Sequence, residues 1–107
     1  MSQSNEEQIK YWNGSAGATW TESQARMDRM LQPLTEVAIR AASARGADRV
    51  IDIGCGCGDT SIQLADRAAH VHGIDISEPM LARARERAAE LDLINVCLLY
   101  TSDAADE

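Results

Sequence analysis

The stretch VIDIGCGCG, residues 50–58, decides the fold of this chain. Its first four residues are mostly β-branched, which is typical of a buried strand. Glycines at positions 54, 56 and 58 suit a sharp turn from strand to helix in which a ligand lies against bare backbone. Free N–H groups in such a turn favour an anionic or polar ligand. Asp59 or Thr60 should cap the following helix, which should run to Ala69.

A second strand and helix follow the first unit. Residues 70–75, HVHGID, predict a strand that ends in Asp75, 21 residues after Gly54. In α/β domains that bind adenosine, an acidic residue at about this position reaches the ribose hydroxyls. Ser77 should cap the next helix, and Pro79 fits its first turn. Because parallel strands end at one edge of a sheet, Asp75 and the glycine loop should converge on one crevice.

The chain before residue 46 predicts helices. A short helix over residues 5–12 should break at the polar and glycine-containing residues 13–17. Thr19 and the glutamate three residues later have capping-box spacing, so a second helix should begin there. Pro33 should kink or restart that helix, and Gly46 should end it. The resulting order, helices followed by alternating strands and helices, is the opening of a parallel α/β sheet.

A glycine loop of this kind can bind NAD, FAD or S-adenosylmethionine. Two acidic residues help to distinguish between these three cofactors. The dinucleotide pattern G-x-G-x-x-G requires Gly or Ala at position 59, where Asp59 would repel a pyrophosphate. Asp52, two residues before the first glycine, suits a cofactor with a positive ammonium and sulfonium. These residues favour S-adenosylmethionine. An NAD-dependent oxidoreductase and a non-catalytic adenosine-binding module stay open as alternatives.

Several stretches together resemble one enzyme family. Residues 50–58 resemble motif I of class I S-adenosylmethionine-dependent methyltransferases, residues 72–77 resemble their second-strand motif, and residues 79–85 are similar to the helix that follows it. Residues 11–14, with Trp20 and the segment around Met27, are similar to the N-terminal helical cap of small-molecule methyltransferases. The resemblance implies a Rossmann-like α/β fold with N-terminal helices and methyl transfer to a small molecule.

The resemblance also implies roles for individual residues. The glycines would shape the loop against the methionine part of the cofactor, Asp52 would reach its amino group, Asp75 would bind the ribose hydroxyls, and Ile76 would pack on the adenine. Trp12 and Trp20 would either cover the site or serve packing alone. No catalytic residue is predicted. The full set expected at the cofactor is Asp52, Gly54, Cys55, Gly56, Gly58, Asp75 and Ile76.

Composition limits the other classes of function. With 107 residues the chain is one small domain at most, and its net charge of −7 makes nucleic acid a poor partner. Its three cysteines lack metal-site spacing, so we expect loop fillers and no metal. The polar first ten residues predict no signal peptide or membrane span, and hence a cytoplasmic protein. His70 and His72 should be surface residues, and the arginines at 83, 85 and 87 should form a solvated helix face. The sequence predicts no oligomeric state.

The last eleven residues, CLLYTSDAADE, do not resemble the methyltransferase family. They match, codon by codon, the translation of a transposase-type sequencing adapter. We therefore expect a helical cap over residues 1–45, a partial cofactor-binding domain over 46–96 that is truncated after its second βα unit, and a non-native tail over 97–107. Asp103 and Ala104 in this tail imitate the acid that contacts adenine in the family. A fragment of this kind should be inactive by itself.

Overall fold

Helices precede and flank a small sheet in the computed structural model, which describes residues 2–101. Strand β2 and helix α5 begin and end close to the predicted residues. The side chain of Ser77 caps α5 by accepting from the Met80 N–H at 3.4 Å, as predicted. In chain order the elements are α1 Ser2–Asn13, α2 Ser15–Glu22, α3 Gln24–Ala42, β1 Arg49–Ile53, α4 Asp59–Leu64, β2 His70–Asp75, α5 Glu78–Glu90 and β3 Val96–Tyr100.

The sheet is parallel throughout, with the strand order β1-β2-β3. Ile53 is paired with Ile74, and Asp75 with Tyr100, so the loops after β1 and β2 leave the sheet side by side. The described chain thus has one strand more than the two expected. Strand β3 consists largely of residues predicted to be adapter-derived, and Leu98 from it is buried against α5. Asp103 and Ala104 lie outside the described residues.

The helices cover one face of the sheet. Val71 on β2 is fully buried against α3 and α4, and Leu98 on β3 packs with Leu81 and Ala84 of α5. Side chains alternate between the two faces of a strand. The strand residues next to Val71 and Leu98 therefore point to the opposite face of the sheet. That face is open, and the exposed side chains on it include Ile51, Ile53 and Leu99. Residues 50–53 form a strand, as predicted, but the prediction that this strand is buried is wrong, because β1 is an edge strand of the described sheet with one uncovered face.

The first break between the N-terminal helices falls at Gly14, within the predicted segment 13–17, but the later helix boundaries differ from those predicted. Gly17 was expected to break a helix, but it lies buried inside α2. A Cβ built there would meet the Trp12 carbonyl oxygen at 1.9 Å, so the glycine permits close packing of α1 on α2. Thr19 also lies inside α2, and the capping box predicted from it is wrong. Helix α3 begins after Ser23 and has no side-chain cap.

Two helix ends also differ from the prediction. Helix α3 continues through Pro33 and ends at Ala42, where Ser43 adopts a left-handed φ of 51°, rather than at Gly46. Helix α4 begins after Gly58 and ends at Leu64, well before Ala69. The cap predicted at Asp59 or Thr60 falls inside the helix, because left-handed Gly58 already turns the chain into it.

Candidate functional site

The loop between β1 and α4 requires its glycines. Gly54, Gly56 and Gly58 all have positive φ, at 75°, 56° and 87°. A Cβ on Gly58 would lie 2.9 Å from the Ala84 Cβ, and one on Gly56 would lie 3.0 Å from Met80 Cε. Side chains at these positions would strain the backbone and push the loop away from α5. The loop therefore packs closely against the first half of α5.

Asp75 joins this loop to the one that follows β2. Its Oδ2 accepts from the Gly56 N–H at 2.8 Å, and its Oδ1 accepts from the Ser77 N–H at 2.9 Å. The N–H groups of Gly54 and Cys55 also donate to the Ile74 carbonyl, at 2.7 and 3.0 Å. The predicted convergence of the glycine loop and Asp75 at the carboxyl ends of adjacent strands is confirmed.

Asp52 adds a second carboxylate next to this junction. Burial raises the pKa of Asp52, a hydrogen bond from Ser61 Oγ at 2.7 Å opposes the shift, and the charge of Asp75 raises the pKa further. A nearby positive charge would offset the repulsion between these two carboxylates. The two acidic residues therefore give this end of the sheet a negative charge.

Two adjoining cavities flank the loop. One, of about 320 Å³, brings together Gly54, Gly56, Asp75 and Ile76 from the predicted set. The other, of about 210 Å³, lies between the loop and α3 and is lined by Cys55 and Gly58 among others. Asp52 lines neither cavity. Residues that line both are Trp20, Gly54, Gly56 and Met80. Met80 was not predicted, although its place in the first turn of α5 is a signal that could have indicated it.

The helical cap is fastened beside the larger cavity. Ser77 Oγ donates to the Trp12 carbonyl at 2.6 Å, and Asn13 Nδ2 donates to the Ile76 carbonyl at 2.7 Å. The Glu78 N–H donates back to Asn13 Oδ1 at 2.8 Å. Both Trp12 and Trp20 line this cavity, and their rings meet edge to face with centroids 6.2 Å apart. The tryptophans thus pack together and also wall the site.

The arginines of α5 are not a uniformly solvated face. Arg87 keeps only 16% of its side chain exposed and donates to the Cys57 carbonyl at 2.8 Å. Arg83 donates to Gln24 Oε1 at 3.0 Å, and Arg85 donates twice to the Leu98 carbonyl. The prediction is wrong for Arg87, which the start of α3 reaches through Asp28. Arg83 is 34% exposed and pairs with Glu86 and Glu90, as predicted, in addition to its contact with Gln24.

The cysteines and histidines of the described chain have no reactive arrangement around the loop. Burial, with the charges of Asp75 and Asp52, raises the pKa of Cys55 to about 12, so its thiol stays protonated. The rings of His70 and His72 lie 4.3 Å apart on the strand face away from the helices. Residues 2–101 contain no group of His, Cys, Asp or Glu side chains that could hold a metal ion.

A glycine loop and an acidic residue at the carboxyl ends of neighbouring parallel strands define a Rossmann-like α/β domain that binds a nucleotide or nucleoside. Comparison with known proteins narrows this class. Residues 44–104 match the methyltransferase domain family, and the chain belongs to that family. The match includes the glycine loop, Asp75 and β3.

Two curated relatives carry different substrates in their names. The 27-O-demethylrifamycin SV methyltransferase of Amycolatopsis mediterranei is 32% identical over 88 residues, which are 81% of this chain and 32% of that protein. A 23S rRNA (uracil(1939)-C(5))-methyltransferase of Klebsiella pneumoniae is 36% identical over 73 residues, which are 68% of this chain and 17% of that protein. The chain thus spans a third or less of the length of these relatives.

A solved structure shows the same fold. The S-adenosylmethionine-dependent methyltransferase of Geobacter sulfurreducens, crystallised with S-adenosyl-L-homocysteine, is 28% identical with a TM-score of 0.54. The similarity covers 63% of this chain and 28% of that one. Within the part of the chain that the structure describes, no helix is both long and apolar enough to cross a membrane.

Proposed function

We propose that this chain binds S-adenosylmethionine at the glycine loop and forms the cofactor-binding part of an enzyme that transfers its methyl group. The observation that carries the proposal is the junction of Gly56 and Asp75, which brings the glycine loop and a carboxylate to one cavity. Membership of the methyltransferase family supports this cofactor over NAD. Asp59, at the entrance of α4, also disfavours a pyrophosphate there.

The larger cavity suits the adenosine part of the cofactor. A carboxylate has about four acceptor sites, so Asp75 can accept from ribose hydroxyls in addition to the Gly56 and Ser77 N–H groups. Ile76 supplies an apolar surface for the adenine, and Trp12 and Trp20 enclose the opposite wall. The residues present therefore fit a nucleoside without rearrangement of the strands.

The methionine part would lie along the glycine loop towards α3. The bare backbone at Gly54 and Gly56 permits close approach, and Cys55 and Gly58 face the adjoining cavity. The ammonium and sulfonium of the cofactor would relieve the repulsion between Asp52 and Asp75. When bound, the cofactor supplies an electrophilic methyl group for in-line transfer, and the protein contributes alignment.

A small-molecule acceptor fits the chain better than a nucleic acid. The net charge of −7, or −4 without the three acidic residues of the expected adapter tail, opposes a polyanion, and Trp12 and Trp20 of the cap line the cavity. The Amycolatopsis relative, which matches most of this chain, is named for a rifamycin substrate. The Klebsiella relative is named for ribosomal RNA, so RNA is the acceptor class against which the proposal is tested.

Calorimetric titration of the chain with S-adenosylhomocysteine, NAD and adenosine tests the cofactor assignment. We expect heat of binding with S-adenosylhomocysteine and none with NAD. Adenosine should bind more weakly, because it lacks the part that lies along the loop. Equal affinity for adenosine and S-adenosylhomocysteine would favour a plain adenosine-binding module, and binding of NAD alone would overturn the assignment. A methyl-transfer assay with small-molecule and RNA acceptors then tests the acceptor class.

A further inference from the structure

Arg87 on α5 contacts three separate parts of the molecule with one guanidinium group. Its Nη1 donates to the Cys57 carbonyl at 2.8 Å, in the middle of the glycine loop. Its Nη2 lies 3.0 Å from Asp28 Oδ2 on α3 and 3.4 Å from Asp59 Oδ1 at the start of α4. No more than 23% of the side chain is exposed in Arg87, Asp28 or Asp59. Charged hydrogen bonds in such a partly buried setting are stronger and more directional than those at a surface.

The carbonyl that Arg87 holds is part of the loop's shape. Cys57 lies between Gly56 and Gly58, which both have positive φ. Rotation of the peptide unit after Cys57 would turn its carbonyl away from Arg87 and change the direction of the Gly58 N–H. The guanidinium therefore favours the one loop conformation in which the bare backbone faces the cavities.

Further hydrogen bonds hold the α3 side of the contact between Arg87 and Asp28. Gln24 Nε2 donates to Asp28 Oδ2, the oxygen that meets Arg87. Gln24 is itself buried, and its Oε1 accepts from Arg83 Nε at 3.0 Å. Two arginines one turn apart on α5 thus hold one turn of α3 in a fixed orientation. Arg87 lines neither cavity, so it would act on a ligand only through the loop and the cap.

We propose that Arg87 is a positioning residue that couples the docking of α3 to the conformation of the glycine loop. Release of α3 frees the Asp28 carboxylate, leaves Arg87 with fewer acceptors that fix its orientation, and loosens the Cys57 carbonyl. The loop then samples conformations that cannot hold a ligand. The prediction that this lowers cofactor affinity rests on the proposed binding of S-adenosylmethionine, whereas the coupling between α3 and the loop does not.

Backbone hydrogen exchange of the unliganded 107-residue chain tests the coupling without any cofactor. In Arg87→Lys, which keeps the charge but cannot contact three acceptors in one plane, exchange should quicken together in residues 54–60 and 24–31. Asp28→Asn, which removes the charge on the α3 side of the contact, should produce the same paired effect; Asp28 also lines the smaller cavity, so this variant is compared in the unliganded chain. Arg85→Lys is the matched control, because Arg85 lies on the same helix and binds the Leu98 carbonyl instead. Faster exchange in one segment alone in both variants overturns the proposal.

Titration with S-adenosylhomocysteine tests the consequence. Arg87→Lys should bind about tenfold more weakly than the unmodified chain, and Arg85→Lys should bind equally well. In urea unfolding of the unliganded chain, adding Asp28→Asn to Arg87→Lys should lower the free energy of unfolding little further, since both break one network; fully additive losses would contradict coupling. If the unmodified chain fails to bind, the proposed function fails, while the exchange data still decide on Arg87. Circular dichroism confirms that each variant is folded.

Discussion

The Asp52 carboxylate is partly buried, accepts a hydrogen bond from Ser61 and is repelled by the charge of Asp75. Its negative charge therefore destabilises the folded chain. Its pKa is raised above the ordinary value of 3.8, so the folded state binds more protons than the unfolded state just above that pH. The Asp52 carboxylate therefore lowers the stability of the fold progressively as pH rises from about 3.8 through the folded pKa. Above that window the penalty is present in full.

Asp52→Asn should consequently stabilise the unliganded chain at pH 7. The amide can still accept from Ser61 Oγ but carries no charge. We expect a rise in the unfolding midpoint of about 4 °C, equivalent to roughly 1 kcal/mol, at pH 7 and almost none at pH 3. Thermal unfolding followed by circular dichroism at both pH values measures this. An equal gain at both would show that packing, rather than charge, is the cause. The same variant should bind S-adenosylhomocysteine more weakly.

Asp75 has both a structural and a proposed ligand-binding role, which two substitutions can separate. Asp75→Ala should weaken binding of S-adenosylmethionine by about 1–3 kcal/mol through loss of charged hydrogen bonds. It should also destabilise the loops, because the Gly56 and Ser77 N–H groups lose their acceptor. Asp75→Asn keeps one acceptor and is the control for folding. Calorimetry measures affinity, and unchanged affinity in both variants would leave Asp75 as a turn residue only.

Residues at strand ends could be predicted from the sequence, whereas those that fix the cap could not. The ends of parallel strands meet at one edge, so the juxtaposition of Gly56 and Asp75 follows from local pattern and topology. The contact of Arg87 with Asp28 joins residues far apart in sequence, and it depends on where the start of α3 lies relative to α5. In the sequence, nothing distinguishes Arg87 from the exposed arginines that are common on the solvent side of a helix.

Helix α2 shows why local propensity failed at the level of elements. Glycine in a helix interior is unfavourable by about 1 kcal/mol relative to alanine, so Gly17 was expected to end a helix. Inside the fold it lies where the Trp12 carbonyl and Ser77 approach from outside the helix. Tertiary packing outweighs propensity here. Strand β2 was predicted with its correct bounds. It pairs with a strand on each side, so its tertiary surroundings favour the same structure as its local sequence.

Gly17→Ala should destabilise the chain although alanine is the better helix former. The added Cβ would meet the Trp12 carbonyl oxygen at 1.9 Å, a backbone atom that cannot move without shifting α1. We expect a loss of about 1–3 kcal/mol in the free energy of unfolding, as for overpacking of a core. Gly46→Ala is the matched control, since a Cβ there meets nothing within 4 Å. Urea unfolding of both variants measures the difference, and equal stability would show that α1 yields freely.

At the scale of the whole molecule, the sheet has a covered face and an open one. Ile51 and Ile53 on the edge strand are 62% and 76% exposed, and Leu99 adds further apolar surface to the same face. Parallel sheets are ordinarily covered by helices on both faces. The predicted α/β class is correct, but the sequence of β1 specifies burial that the described residues do not provide. Composition and pattern alone cannot show which faces of a strand are covered.

The last prediction concerns the 107-residue chain by itself. With β1 free along one edge and apolar on its open face, we expect an unfolding midpoint below about 45 °C and self-association that grows with concentration. We also expect no methyl transfer to any acceptor in a broad panel, because the chain spans a third or less of the length of the relatives named for that activity. Circular dichroism melts at several concentrations, sedimentation velocity and a radiolabel transfer assay measure these properties.

Ile53→Lys should reduce association without lowering the midpoint, since the side chain already faces solvent. A cooperative transition above about 50 °C in a monomer that turns over substrate would show that the open face needs no cover and that the chain is a sufficient enzyme.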